Sequence, residues 1–179
     1  MMDHKLSVHE TLLHVPLVLR YPPRVAAGQT IDALVQLHDL YPSLLGLAEV
    51  TPPAGVPVEA VPLPGTGLPA AGRGEDVPIV GEFVGPPVDF IKVMQDLFPE
   101  RDLSRYDRTL IALRRDGWKI QWGGDGRHAL YHVAEDPGET DDRAVAEPDR
   151  VRDMARQVQD WLQRPARRAH PGPRSAASP

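Results

Sequence analysis

The first ten residues hold the densest group of side chains in this chain that could take part in acid–base or metal chemistry. Asp3, His4, Lys5, His9 and Glu10 place carboxylates, imidazoles and an ammonium within a few positions of one another. A Lys ammonium donates hydrogen bonds to anionic oxygens, and imidazoles and carboxylates exchange protons or ligate cations. The sequence leaves open whether the surrounding fold makes these side chains converge.

The other residues that commonly carry chemistry match no familiar pattern. The histidines form no His-x-x-Glu-His or His-x-His run, so a metal site made by this chain alone is not favoured; there are seven of them: His4, His9, His14, His38, His128, His132 and His170. The chain has no cysteine, which excludes disulfides, thiolate ligands and a cysteine nucleophile within it. The run Gly123 to Gly126 joins two predicted strands, which favours a turn over a phosphate-binding loop.

Net charge and composition indicate which kinds of partner and which kind of structure to expect. The 179 residues carry a formal net charge of -5 without long charged blocks, so neither nucleic acid nor a membrane surface is predicted as a partner. No apolar run is long enough to span a bilayer. With 20 prolines and 15 glycines, the chain is predicted to be rich in loops.

The first predicted element is a buried strand, Leu13 to Leu19. It is apolar at nearly every position, which is typical of a strand covered on both faces in a parallel sheet. A parallel neighbour needs a crossover of a dozen or more residues, and about a dozen residues precede this strand. We therefore expect the rest of the sheet to be missing and the chain to be part of a larger domain.

A helix and a long loop follow. Asp39 is predicted to cap a short buried helix that reaches Ala48, with Pro42 in its first turn. Residues 51–75 are rich in Pro and Gly and are predicted to form an extended surface loop. Val77 to Val84 is predicted to be a strand with either a bulge or a close backbone approach around Gly81 and Glu82. Val88 to Phe98 has helical spacing.

The last third predicts an antiparallel meander covered by a helix. The strands are Thr109 to Leu113, Trp118 to Trp122 and Ala129 to Val133, and an Asp-Gly turn joins the first two. In the second strand Trp118, Ile120 and Trp122 share one face, while Lys119 and Gln121 are predicted to point away. The covering helix is predicted from Glu147 to about Gln163, and residues 164–179 are predicted to be a disordered tail.

The order of several short motifs resembles the C-terminal part of the sulfatase family, within the alkaline phosphatase superfamily. The resemblance runs from about Asp3 to Gln163. The motifs, in order, are Lys5-x-x-x-His9-Glu10, Val15-Pro16-Leu17, Val35-x-Leu37-x-Asp39-Leu40-Tyr41-Pro42-Ser43-Leu44, Gly117-Trp118-Lys119, Leu130-Tyr131, Asp136-Pro137-x-Glu139 and a terminal helix with Trp161-Leu162.

This resemblance implies an α/β fold of the alkaline phosphatase and sulfatase type, here as a C-terminal fragment. Part of the large-domain sheet is expected together with an α+β subdomain of antiparallel strands packed on a C-terminal helix. Residues 1–50 are the expected remnant of the large domain, 51–75 the loop, 76–163 the C-terminal subdomain with its linking strand and helix, and 164–179 the tail.

The resemblance also assigns roles to individual residues. Lys5 matches the lysine that contacts the sulfate ester, which makes it the one predicted catalytic residue of the chain. Glu10 matches the acidic residue of the following pattern, and His9 stands where the family has tyrosine. Ser43 stands in a threonine position at the start of a helix. The Asp136-Pro137-Gly138-Glu139 turn is expected to be structural.

The departures from the family pattern imply that essential parts lie elsewhere. Sulfatases use a formylglycine, made in a Cys/Ser-x-Pro-x-Arg motif, and a divalent cation, calcium by expectation, held by carboxylates; the chain lacks that motif. No cofactor is therefore expected in this chain. A missing N-terminal catalytic half is the expected partner, with a sulfate ester as the substrate of the complete enzyme. The chain alone is expected to be inactive.

Two other interpretations remain open from the sequence. A non-catalytic accessory or binding module could use the aromatic residues Trp118, Trp122 and Trp161. A fragment of a phosphonate or phosphodiester hydrolase of the same superfamily fits equally, because nothing in the sequence separates sulfate from phosphate.

Overall fold

The computed structural model describes residues 7–51, 60–68, 78–86, 88–103 and 106–164. The chain divides into two compact units, one made of residues 1–15 together with 80–179 and the other of Pro16–Ile79. The helices are α1 (Glu10–Leu13), α2 (Leu40–Leu47), α3 (Val88–Leu97) and α4 (Pro148–Leu162), with a 3-10 turn at Leu37–Asp39. The strands are β1 (Ile79–Phe83), β2 (Leu110–Arg115), β3 (Trp118–Gly123) and β4 (Ala129–Tyr131).

The first unit is built around a four-stranded sheet with the order β1-β2-β3-β4. β2 pairs antiparallel with β3, and β3 pairs antiparallel with β4, so the predicted meander is confirmed. The connecting turn has positive φ at both Asp116 (51°) and Gly117 (76°). This is the turn geometry whose twist matches that of a two-stranded hairpin.

Helix α4 covers one face of the sheet, as predicted. Pro148 stands at the first helical position, where its missing N–H costs little. The buried core between helix and sheet consists of Ile111, Leu113, Ile120, Leu130, Met154 and Val158. Trp118, Trp122 and Trp161 are partly buried and pack against this core, which gives all three a structural role.

The opposite face of the sheet is covered as well. Lys119 and Gln121 point away from Trp118, Ile120 and Trp122, as predicted, and both side chains are buried. The alternation along β3 is therefore correct. A Lys is buried only where partners satisfy its charge, and those partners come from α1 and from the turn after β4.

The predicted strand Leu13 to Leu19 is wrong. Leu13 ends α1, and residues 14–20 form no regular structure; Val18 is 89% exposed. The described part of residues 7–50 contains no strand, so the expected remnant of a large-domain sheet does not form there. A central parallel strand needs neighbours that accept and donate its backbone hydrogen bonds, and the described residues supply none.

The second unit contains the 3-10 turn and α2, close to the predicted helix. Asp39 stands at the N-cap position of α2, as predicted, but its side chain makes no capping hydrogen bond to that helix. Its carboxylate instead accepts hydrogen bonds from the backbone N–H of Gln36 (2.8 Å) and of Val61 (3.0 Å). Residues 60–68 depart from the predicted surface loop, because Leu63 and Thr66 are buried and the Leu63 N–H donates to Oγ of Ser43 (2.7 Å).

Other predicted elements lie where expected. Gly81 in β1 is closely approached, since a Cβ there would lie 2.7 Å from Cδ1 of Leu13. Most of the Pro-rich segment and the tail beyond residue 164 lie outside the described residues. Among the helices in the described ranges, none combines the length and apolarity that crossing a bilayer requires.

Candidate functional site: a buried charge cluster and its pocket

A cluster of charged and polar side chains lies on the face of the sheet opposite α4. It consists of His9, Glu10, Arg114, Lys119, Gln121 and Glu139, and is called the charge cluster below. β3 supplies Lys119 and Gln121, because alternate residues of a strand share one face. Arg114 comes from β2, where it pairs directly with Lys119 across the hairpin.

Glu139 reaches the cluster through a turn that its own neighbours hold in place. The Asp136 carboxylate accepts hydrogen bonds from the N–H groups of Thr140 (2.8 Å) and Asp141 (2.9 Å). Glu139 itself has a φ of 52°, a left-handed conformation uncommon for a residue with a Cβ. The Asp136 turn therefore fixes the backbone that aims the Glu139 side chain at the sheet.

Lys119 lies between two carboxylates. Its Nζ is 2.9 Å from Oε1 of Glu10 and 3.0 Å from Oε1 of Glu139, and its side chain is 1% exposed. Arg114 Nη1 donates to the other oxygen of Glu10 at 2.9 Å. Two cations thus balance two carboxylates, which is the condition under which such groups tolerate burial.

Glu139 is the acceptor at the centre of the cluster. Its Oε2 accepts the backbone N–H of Glu10 (2.6 Å) and lies 3.1 Å from Nδ1 of His9. Burial alone would raise the pKa of Glu139, but hydrogen bonds from His9, the Glu10 amide and Lys119 outweigh it and lower the pKa to about 2. The carboxylate is therefore ionised throughout the neutral range.

His9 lies at the solvent-exposed side of the charge cluster, where its side chain is 40% exposed. Its Nδ1 lies 3.1 Å from the amide nitrogen of Gln121 as well as near Glu139. The ring is 6.1 Å from that of Tyr131, measured between centroids. An imidazole here keeps the polar contact with Glu139 that the cluster requires, although the family resemblance expects tyrosine at this position.

A pocket of about 380 Å³ adjoins the charge cluster. Its lining includes Ser7, His9, Tyr106, Arg108, Gln121, Arg127, His128 and Asp142. The two arginines are bound to one carboxylate outside this lining: Asp125 lies 3.0 Å from Arg108 Nη2 and 2.6 Å from Arg127 Nε. Asp125 offsets one of the two guanidinium charges, and Asp142 in the pocket lining supplies a second carboxylate, so these four groups leave the pocket without a net positive charge.

His128 shows how the pocket wall is held. Its Nδ1 accepts the N–H of Gly123 (3.2 Å), and its ring stacks on Trp122. Burial, together with the nearby charge of Arg108, lowers the pKa of His128. A neutral ring that accepts at Nδ1 carries its proton on Nε2.

The predicted site residues are only partly brought together. Lys5, with Asp3 and His4, lies outside the described residues, and its predicted contact with sulfate stays a prediction. His9 and Glu10 do meet, in the charge cluster. Within the described ranges, no three His, Asp or Glu side chains are arranged to hold a metal ion.

Sequence reasoning missed the role of Lys119, Arg114 and Gln121. Lys119 alternates with Trp118 and Ile120 in a strand flanked on both sides, a position where an unpaired Lys would be costly. The free-energy cost of burying an unpaired Lys indicates that carboxylates must lie near Lys119. Their identity could not be read from the sequence, because Glu10 is 109 residues away.

The charge cluster is suited to holding the segment of residues 7–13 against strands β2 and β3 and the Glu139 turn. Each of its carboxylates is occupied by cations and amides, so neither is available as a general base, and the cluster holds residues 7–13 against the sheet. Arrangements of this kind are costly to break, since removing one partner leaves a buried charge alone.

Comparisons with known proteins place these motifs in context. No protein-family model matches the chain. An uncharacterized sulfatase of Schizosaccharomyces pombe is 28% identical over 161 residues, which is 84% of this chain and 24% of that protein. Arylsulfatase K of Xenopus laevis is 40% identical over 53 residues, which is 30% of this chain and 10% of that protein. The chain thus spans a quarter or less of these relatives, and both of them are named as sulfatases.

Proposed function

We propose that this chain supplies the C-terminal part of a sulfatase-like hydrolase, whose complete protein cleaves sulfuric esters. The observation that carries the proposal is the meeting of Glu10, Lys119 and Glu139 in one cluster. These residues come from three separate motifs of the family resemblance. The names of the two relatives support the same family.

The charge cluster gives this chain a task within such an enzyme. Lys5 lies four residues before His9, and His9 and Glu10 are held by Glu139 and Lys119. A segment fixed at residues 9 and 10 limits where Lys5 can reach. In the proposed enzyme, Lys5 donates hydrogen bonds to sulfate oxygens and balances the charge that develops as the S–O bond breaks.

The remaining catalytic groups are expected from other residues of the complete protein. The chain has no cysteine and no Cys/Ser-x-Pro-x-Arg motif, so it cannot supply the formylglycine. The described residues also contain no group of three Asp, Glu or His side chains that could hold a calcium ion. When bound elsewhere in the protein, a divalent cation would polarise the ester. The chain alone is accordingly expected to be catalytically silent.

The test compares two polypeptides. The codons upstream of Met1 are read in frame for the Cys/Ser-x-Pro-x-Arg motif, and the longer product is assayed beside the 179-residue chain with 4-nitrophenyl sulfate. We expect hydrolysis by the longer product alone. Preference for a phosphate or phosphonate ester would favour a different member of the superfamily. A stop codon without a separate catalytic chain would contradict the proposal.

Two variants of the longer product test the role of Lys5. Lys5→Ala should lower kcat/KM by about 10²–10³-fold, the usual effect of removing one donor to the developing charge. Lys92→Ala is the matched control, since Lys92 is an exposed lysine on α3. Equal effects of the two substitutions would remove Lys5 from the site.

A further inference from the structure

Helix α2 presents an apolar face to solvent. Leu37, Tyr41 and Leu44 follow one another at intervals of four and three residues, so they form one stripe along the 3-10 turn and the helix. They are 74%, 42% and 53% exposed. This stripe is called the outer face of α2 below.

The other side of the same helix is already covered. Ser43 and Leu47 are buried, and the segment 60–68 lies against them, with the Leu63 N–H bound to Oγ of Ser43. A Cβ added at Gly46 would lie 2.8 Å from Leu68, so no space remains there. Residues Leu40–Leu47 include no charged side chain. A helix that is apolar on all sides is normally buried on all sides.

From this we propose that the outer face of α2 is the surface on which the catalytic portion of the sulfatase-like protein docks. The inference rests on the proposed function. This chain aligns with 24% of the Schizosaccharomyces pombe relative, so that protein contains a large polypeptide portion with no counterpart here. Such a portion is a protein surface able to cover Leu37, Tyr41 and Leu44 at the effective concentration of a covalent link.

Two other occupants fit less well. An anionic lipid surface would require Lys or Arg beside the apolar stripe, and the sequence has neither between Arg24 and Arg73; the imidazole of His38, next to Leu37, lies 3.5 Å from the Asp39 carboxylate. A second copy of this chain would require more surface. A helix of eight residues is about 12 Å long, and one face of it falls well below the roughly 800 Å² that each partner buries in a stable interface.

The experiment places this chain in a protein that contains a catalytic portion. The segment of the Schizosaccharomyces pombe relative that matches this chain is replaced by all 179 residues. The triple substitution Leu37→Glu, Tyr41→Glu and Leu44→Glu is made both in this chimera and in the chain alone. Ala27→Glu is the control, because it adds a glutamate at an exposed residue of the same unit that is not part of the outer face of α2.

The triple substitution should abolish the cooperative thermal unfolding and soluble expression of the chimera. In the chain alone it should move the unfolding midpoint by less than about 4 °C, as surface substitutions do. Ala27→Glu should leave both proteins unchanged.

Four results would overturn the inference. They are an unaffected triple chimera, equal damage to the chain alone, a stable dimer of the chain that the triple substitution dissociates, or an unsubstituted chimera that does not fold. Hydrolysis of 4-nitrophenyl sulfate is recorded separately: a folded, substitution-sensitive chimera without activity would contradict the proposed function and leave the docking surface standing.

Discussion

The two units of this chain differ in how much apolar side chain they bury. In the first unit an apolar core that includes Ile111, Ile120 and Val158 lies on one side of the sheet, and a balanced charge cluster lies on the other. In the second unit the buried residues are mostly polar, with Asp39, Ser43 and Thr66 beside Leu47 and Leu63. Many large apolar side chains in the described part of this unit are exposed instead: Leu17, Val18, Tyr21, Ile31, Leu34, Leu37, Tyr41, Leu44 and Val50.

This difference shows that local hydrogen bonds can order a segment but stabilise it less than apolar burial does. Hydrogen bonds of Asp39 and Ser43 link the residues of the 3-10 turn and the first turn of α2. They contribute about 1 kcal/mol each, whereas burial of a large apolar side chain contributes roughly 1.5–3 kcal/mol. We therefore expect the first unit to hold most of the stability of the isolated chain, while the apolar side chains of the second contribute little until a partner covers them.

The largest predicted effect is the loss of the cation at the centre of the cluster. Lys119→Met should destabilise the chain by about 3–5 kcal/mol, because Glu10 and Glu139 would remain as buried carboxylates facing each other. Urea unfolding measures the change. Lys92→Met, on the exposed side of α3, is the control. A loss below about 1 kcal/mol in the first variant would show that the cluster does not hold the unit together.

A pair of truncations compares the two units directly. Ile120→Ala should cost about 2–5 kcal/mol, because it opens a cavity in the core under α4. Leu44→Ala should cost no more than about 0.5 kcal/mol, because its side chain already faces solvent. The same urea titration serves both variants. Similar losses at the two positions would contradict the contrast between the units.

Acid should weaken the first unit through Glu139. Its pKa falls from an ordinary 4.5 to about 2 in the folded chain, so its contribution is complete above pH 4.5. It is lost as the pH falls from 4.5 toward 2, by an amount on the order of 3 kcal/mol. The slope of stability against pH in that window should flatten in Glu139→Gln. Glu135→Gln, at an exposed position, should keep the slope. Identical slopes would remove Glu139 as the cause.

The smallest effect concerns the hairpin turn. Gly117 has a φ of 76°, and a Cβ there would lie 3.2 Å from Cβ of Ala134. Gly117→Ala should cost about 1–2 kcal/mol, and Gly117→Asn should cost less, because Asn tolerates this conformation better. Thermal unfolding distinguishes them. Equal stability of wild type and Gly117→Ala would show that the turn can relax without cost to the sheet.

Sequence reasoning performed best where local pattern and burial agree. The Asp-Gly turn, the alternation of Trp118 with Ile120 and the helical spacing around Met154 each predict their element, and each is confirmed. It was wrong at Leu13 to Leu19, because an apolar run forms a strand only where neighbouring strands exist. The same limit applies to Lys119: its face of the strand was predictable, but its partners depend on contacts across 109 residues.

Hydrogen exchange of the isolated chain tests the contrast between the units most directly. If the first unit carries the stability, the amides of β2 and β3 should exchange only by global unfolding, and those of Leu40–Leu47 should exchange at least about 100-fold faster through local opening. Addition of the glutamate substitutions on the outer face of α2 should leave the slow amides unchanged. Equal protection of β3 and α2 would contradict the account, because it would mean that the second unit is stable without a partner.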